Sequence, residues 1–127
     1  MPPDESLIVQ HMDEAAFTRL VAAFYRRVRE DDVIGPMYPP GDWAGAEERL
    51  AGFLRFRFHG NPAYQEARGH PRLRGRHLPF AIGEAERDRW MDLMTAAIAE
   101  TGVAPEAAGA LQAFFAQVAD FMRNQPG

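Results

Sequence analysis

The sequence predicts a small all-α protein, and three observations support that prediction. Apolar residues recur at helical spacing in several separate stretches of the chain. No stretch alternates cleanly between apolar and polar residues, as a half-buried strand would. The dipeptides Asn-Gly and Asp-Gly, which are typical of tight hairpins, are absent. We therefore expect the core to be built from helices.

Each predicted helix has an apolar stripe and a recognisable boundary. The first follows Asp13, a candidate N-terminal cap, and the second follows Asp42. The third ends near Gly102, and the fourth has Pro105 in its first turn. The stripes consist of Phe17, Leu20, Val21, Phe24 and Val28; of Ala46, Leu50, Phe53 and Leu54; of Trp90, Leu93, Met94, Ala97 and Ile98; and of Leu111, Phe114, Phe115, Val118, Phe121 and Met122.

Two segments rich in proline and glycine interrupt this pattern. Residues 35–42 are predicted to form a loop or short turns, and residues 60–83 can hold only short helical pieces. A long irregular segment in so small a helical protein is usually functional. We expect a single domain over residues 1–127, with residues 1–12 forming an N-terminal extension or a short helix.

Composition excludes several classes of function. The net charge of -4 argues against broad nucleic-acid binding, and the absence of cysteine excludes disulfides and thiolate metal sites. The N-terminus lacks the pattern of a signal peptide, and no apolar run is long enough to span a membrane, so we expect a cytoplasmic protein without a membrane partner. The arginines between residues 68 and 76 form a local basic segment that suits a small anionic ligand.

His77 is the strongest candidate metal ligand. Arg72, Arg74 and Arg76 precede it, and Phe80 follows. A neutral imidazole in this setting can ligate haem iron, while guanidinium groups pair with the propionates and apolar side chains cover the macrocycle. However, a lone histidine is more often a surface or structural residue, and an arginine-rich run is often a solvated loop. Both interpretations stay open on these residues alone.

Three aromatic residues with polar atoms are candidate ligand-binding groups. Tyr25 lies beside the first stripe, Tyr38 lies in the proline-rich loop, and Trp90 begins the third stripe. Each side chain has an apolar body and one polar atom that needs a partner when it is buried. If the three converge, they can bind a small polar ligand; otherwise they are ordinary core aromatics.

In their order and spacing, these residues resemble a known family. Over residues 17–98 the chain resembles the group II truncated haemoglobins. The motifs that carry the resemblance are Phe24-Tyr25, Met37-Tyr38-Pro39, Ala46-Glu47-Glu48-Arg49-Leu50, Phe53-Leu54, Tyr64, Arg68-Gly69-His70-Pro71-Arg72-Leu73-Arg74, Arg76-His77, Pro79-Phe80 and Glu86-Arg87-Asp88 followed by Trp90.

The resemblance implies a globin-like two-over-two helical sandwich around haem b. It implies that His77 is the proximal iron ligand and that Tyr25, Tyr38 and Trp90 are distal hydrogen-bond donors to the bound ligand. It further implies that Ala46 occupies the position where many globins place a distal histidine, and that Leu50, Phe53 and Leu54 line the distal wall. Arg49, Arg74 and Arg76 would pair with the haem propionates. Phe80 would pack near the haem on the proximal side.

The chain departs from the family pattern at two turns. Gln10-His11-Met12-Asp13 replaces a Gly-Gly pair before the first long helix, and Gly60-Asn61-Pro62 replaces Gly-Gly-Pro after the distal helix. Glycines permit sharp turns at such places.

The expected function is binding of O2 and other diatomic ligands, with slow release because of the Tyr and Trp hydrogen bonds. NO, CO and peroxide are further candidate ligands. One alternative is a haem enzyme, peroxidase-like or a nitric oxide dioxygenase, that depends on an external electron donor. Another is a haem-free helical regulatory module. No catalytic residue is assigned, and the sequence is compatible with a monomer or a homodimer.

Overall fold

The computed structural model describes residues 5–38, 41–63 and 82–123. Within these ranges the chain is helical and contains no strand, which confirms the predicted all-α class. The elements, in chain order, are α1 (Ser6–His11), α2 (Glu14–Glu30), a 3-10 turn (Gly35–Met37), α3 (Trp43–His59), α4 (Glu84–Glu100) and α5 (Pro105–Met122).

Helix α2 is the centre of the arrangement. It begins as predicted at Asp13, whose Oδ1 accepts a hydrogen bond of 2.8 Å from the backbone N–H of Ala16. Its apolar stripe is fully buried, because α2 packs against α3 on one side and α4 on the other. Helix α5 packs against α4, so the long helices form two layers. This arrangement agrees with the two-over-two sandwich that the resemblance implies.

Helix α3 ends at the predicted turn. Gly60 has φ +67°, a left-handed conformation that L side chains rarely adopt. Asn61 then donates a hydrogen bond of 2.6 Å from its amide to Glu14 at the start of α2, and its Oδ1 accepts one of 3.0 Å from the backbone of Ala63. The chain therefore retains glycine where φ is positive and uses an asparagine side chain to hold the next residue.

Helix α4 begins earlier than its apolar stripe suggests. The stripe starts at Trp90, but the helix starts at Glu84, and Glu86 accepts a hydrogen bond of 2.7 Å from the backbone N–H of Gly83. The first turns are polar and largely exposed, so they carry no apolar periodicity. The helix ends near Gly102, which has φ +68°, and Pro105 is the first residue of α5, both as predicted.

The N-terminal extension is partly helical. Helix α1 packs against α5 and α3 and buries Ile8. Met12, which lies where the family pattern has a Gly-Gly pair, is also buried. Its carbonyl oxygen lies 2.7 Å from Nε2 of His59 on α3. This contact gives His59 a structural role that sequence reasoning did not find. Within the described ranges no helix is long and apolar enough to cross a membrane.

Candidate functional site

The fold brings Tyr25, Tyr38 and Trp90 together. Tyr25 lies on α2, Tyr38 follows the 3-10 turn, and their ring centroids are 5.4 Å apart at an interplanar angle of 86°. Trp90 on α4 reaches the same cluster through Phe24, whose ring lies 5.0 Å from both Tyr25 and Trp90. The convergence of three polar aromatics from separate elements is the arrangement that the sequence analysis required for ligand binding.

The polar atoms of Tyr25 and Trp90 both act on the hydroxyl of Tyr38. Hydrogen bonding with Tyr25 and with the indole N–H of Trp90 lowers the pKa of Tyr38. A phenolic oxygen has two lone pairs and one proton. Because an indole N–H can only donate, the Tyr38 oxygen is the acceptor toward Trp90.

Burial is the main cause of the raised pKa values in this cluster. It raises the pKa of Tyr25 well above the ordinary value, and the neighbouring Tyr38 raises it further through charge repulsion and the hydrogen bond. Burial also raises the pKa of Tyr38, although the bonds from Tyr25 and Trp90 and the charge of Arg49 oppose the effect. Both hydroxyls are therefore protonated at neutral pH and can act as hydrogen-bond donors.

Trp43 is part of this cluster, and sequence reasoning did not single it out. Its ring lies 5.6 Å from Tyr38 and 6.4 Å from Tyr25, and the guanidinium of Arg29 lies 5.7 Å from its centroid. The available signal was helical spacing, because residues 43, 46 and 50 lie on one face of α3. Trp43 packs against the tyrosine rings and so restricts their positions.

The predicted distal wall lies along one face of α3. Ala46 and Leu54 are buried, whereas Leu50 and Phe53 are half-buried. Their spacing confines the four side chains to an arc of about 100° on a helix of 3.6 residues per turn. Helix α3 therefore presents a continuous apolar face next to the layer that carries the three donors.

Arg49 forms an ion pair of 2.9 Å with Asp42, the residue before α3. Both side chains are partly exposed, so the pair can exchange for another anion at little cost. The other predicted cofactor residues, His77, Arg74, Arg76 and Phe80, lie outside the described residues. Their assignments remain predictions.

Comparison with known proteins identifies the family. A sequence model of the bacterial-like globins matches residues 12–124, so the chain belongs to that family. Within it, the chain is a group II truncated haemoglobin, as the resemblance indicated. The group 2 truncated haemoglobin of Bacillus subtilis is 36% identical over 93 residues, which cover 73% of this chain and 70% of that protein.

Solved structures agree with this assignment. A thermostable haemoglobin from Thermobifida fusca is 41% identical, with a TM-score of 0.89, and the match covers 95% of this chain and 98% of that one. A truncated oxygen-avid haemoglobin from Bacillus subtilis is 32% identical, with a TM-score of 0.84, over 91% and 97% of the two chains. Membership of the globin family implies that the protein binds haem and a diatomic ligand.

Proposed function

We propose that this protein binds haem b through His77 and holds O2 tightly, with slow release, by hydrogen bonds from its distal aromatic residues. The observation that carries the proposal is the convergence of Tyr25, Tyr38 and Trp90 from three separate elements of the fold. The relative from Bacillus subtilis that is described as oxygen-avid supports the direction of the effect. CO, NO and peroxide are further ligands of the same site.

The described residues fit a haem group. The macrocycle is mostly apolar, and the half-buried side chains of Leu50 and Phe53 offer it an apolar face on α3. The nearby donor set suits a small ligand that carries partial negative charge, because it consists of O–H and N–H groups that remain protonated. When bound, haem supplies an iron atom that takes the diatomic ligand.

The residues that hold the cofactor have distinct proposed tasks. His77 provides the imidazole on the proximal side, where Phe80 packs. Arg74, Arg76 and Arg49 pair with the propionates, and Arg49 does so by exchanging its present partner, Asp42. Ala46 leaves room at the position of a distal histidine, so hydrogen bonding to the ligand depends on the aromatic donors.

Tyr38 is the residue that we expect to donate directly to the ligand. In the proposed arrangement its oxygen accepts from Tyr25 and Trp90, which leaves its proton for a third partner. The two neighbours fix the position of the Tyr38 oxygen and so orient this proton. One hydrogen bond contributes about 1–1.5 kcal/mol, which corresponds to roughly a tenfold slower release of the ligand.

The cofactor can be tested with the purified protein. We expect a red solution with a strong Soret band, which is lost on His77→Ala. His11→Ala is the matched control, because His11 is an exposed residue at the end of α1. A colourless protein that does not take up added hemin would contradict the proposal and favour a haem-free helical module.

The ligand-binding role is tested separately from the cofactor. The ferrous protein should bind O2 reversibly and release it slowly in stopped-flow measurements. Fast steady-state turnover of peroxide or nitric oxide with an external reductase would instead identify the protein as a haem enzyme.

A further inference from the structure

An ion pair joins the end of α2 to α4 outside the distal cluster; its carboxylate is covered, whereas 42% of the arginine side chain is exposed. Asp31 follows the last residue of α2, and only 4% of its side chain is exposed. Its Oδ1 accepts a hydrogen bond of 2.6 Å from Nη1 of Arg89 on α4. Its Oδ2 accepts two bonds of 2.9 Å, from the backbone N–H groups of Val33 and Ile34. One oxygen of this carboxylate therefore binds helix α4, and the other binds the backbone that follows α2.

The surroundings of Asp31 favour its charged form. Burial by itself raises the pKa of the carboxyl, but the backbone bonds from Ile34 and Val33 and the guanidinium of Arg89 outweigh it, so the pKa lies below the ordinary value. Because the carboxylate is covered and both of its oxygens accept hydrogen bonds, removal of a partner leaves one of these bonds unmade, whereas the exposed guanidinium can turn to water. The neighbouring pair Arg87–Asp120 differs in its carboxylate, because 58% of the Asp120 side chain is exposed and only 4% of the Asp31 side chain is.

The ion pair connects the two segments that carry Tyr38 and Trp90. Asp31 begins the segment that ends at Tyr38, and Arg89 is the residue before Trp90. The intervening chain is compact. Ile34 is buried, and Gly35 packs so closely that an added Cβ would lie 2.7 Å from the carbonyl oxygen of Val28. A displacement of Asp31 is therefore transmitted to Tyr38.

We propose that Asp31 is a positioning residue: through its ion pair with Arg89 it fixes Tyr38 relative to Trp90 and thereby sets the rate of ligand release. Asp31 contacts neither the cofactor nor the ligand in this account. The inference rests on the proposed function, because it assigns Asp31 a role in the same donor cluster.

Substitutions at Asp31 and Arg89 test the contributions of the two Asp31 oxygens separately. Asp31→Asn keeps one oxygen for the Val33 and Ile34 amides and places an NH2 group against Arg89. Arg89→Gln removes the positive charge that faces Oδ1 of Asp31. Asp31→Ala removes both sets of bonds. Arg87→Gln is the matched control. It also removes an ion pair from α4, but that pair joins α4 to Asp120 on α5.

The measurements are the O2 dissociation rate and the CO stretching frequency of the ferrous carbonyl form, which reports hydrogen-bond donation to the ligand. We expect Asp31→Asn and Arg89→Gln each to speed release by about three- to tenfold, as a weakened hydrogen bond would, and to shift the CO band. Their double variant should resemble either single variant, because both remove the same link. Asp31→Ala should have a larger effect, and Arg87→Gln should leave both measurements unchanged.

A further measurement does not need haem. The indole N–H resonance of Trp90, assigned with Trp90→Phe, should move in Asp31→Asn but not in Arg87→Gln, because its acceptor Tyr38 has shifted. This resonance is recorded in the carbonyl form or, if no haem binds, in the colourless protein. Failure of the wild-type protein to bind haem would contradict the proposed function while this test of the ion pair still stands.

The inference has a clear contrary result. It is overturned if Trp90→Phe speeds O2 release while both Asp31→Asn and Arg89→Gln leave the release rate, the CO band and the indole resonance unchanged. That result would also leave the proposed function intact. It is equally overturned if Arg87→Gln produces the same changes, since the effect would then come from general loosening of α4.

Discussion

Replacement of Tyr38 with phenylalanine is the most direct test of the distal hydrogen-bond arrangement. The substitution keeps the ring that packs against Tyr25 and Trp43 and removes only the hydroxyl. In the proposed arrangement that hydroxyl accepts from Tyr25 and Trp90 and donates to the ligand. One atom therefore links ligand affinity to the stability of the fold.

The expected effect on ligand release follows from one lost hydrogen bond. Its contribution of about 1–1.5 kcal/mol corresponds to roughly tenfold faster O2 dissociation. Compensation by the neighbours is restricted. Only 5% of Tyr25 is exposed, and the Trp90 ring is packed between Phe24, at 5.0 Å, and Phe115, at 5.5 Å.

The expected effect on stability is separate. Without the Tyr38 oxygen, the Tyr25 hydroxyl and the Trp90 indole N–H lose a shared acceptor in a buried setting. An unsatisfied buried polar group costs about 1–3 kcal/mol, and since Tyr25 is buried while Trp90 is only partly so, the free energy of unfolding should fall by an amount within that range. Urea denaturation of the haem-bound protein measures this loss.

Tyr25→Phe is the matched comparison. It removes one donor to Tyr38 but leaves the Tyr38 proton and the bond from Trp90 in place. Stopped-flow displacement of O2 by CO should therefore show a smaller acceleration for Tyr25→Phe than for Tyr38→Phe. If Tyr38→Phe releases O2 at the wild-type rate, or if Tyr25→Phe has the larger effect, the assignment of the donating proton is wrong.

Three further predictions concern other parts of the structure. Trp90→Phe removes the indole N–H that acts on the Tyr38 hydroxyl and should speed O2 release at least several-fold in the same stopped-flow assay, because the Tyr38 proton is then less firmly oriented toward the ligand; an unchanged rate would contradict it. Asp13→Ala removes the N-terminal cap of α2 and should lower the free energy of unfolding in urea by about 1 kcal/mol, whereas Asp13→Asn should retain most of it. The raised pKa of Tyr25 means that the folded protein holds this proton after the unfolded chain has lost it, so stability should fall as pH rises above about 10. Urea denaturation at a series of alkaline pH values should show a weaker decline in Tyr25→Phe, and an equal decline would refute the assignment.

The sequence predicted the helices well because their signals are local. An apolar stripe, the cap at Asp13 and the proline at the start of α5 each lie within a few residues of the feature that they define. The start of α4 was missed for the same reason, since its first turns carry no apolar periodicity. There the boundary is set by Glu86 and the Gly83 backbone.

Prediction of the site was uneven for a physical reason. Tyr25, Tyr38 and Trp90 combine polar and aromatic character, which is uncommon enough to be noticed in a sequence. Asp31 and Arg89 are ordinary charged residues that lie 58 positions apart, and only the packing of α2 against α4 makes them partners. Long-range ion pairs of common residue types leave no pattern along the chain.

The distal site therefore depends on two kinds of residue. In the proposed account, the donors provide the hydrogen bonds to the ligand, while Trp43, Asp31 and Arg89 determine where the donors lie. A chain that keeps the donors but changes the supporting residues would have the same apparent motif and a different rate of ligand release. Because a displacement of a few tenths of an ångström weakens a hydrogen bond, the supporting residues can adjust affinity without any change in the groups that touch the ligand.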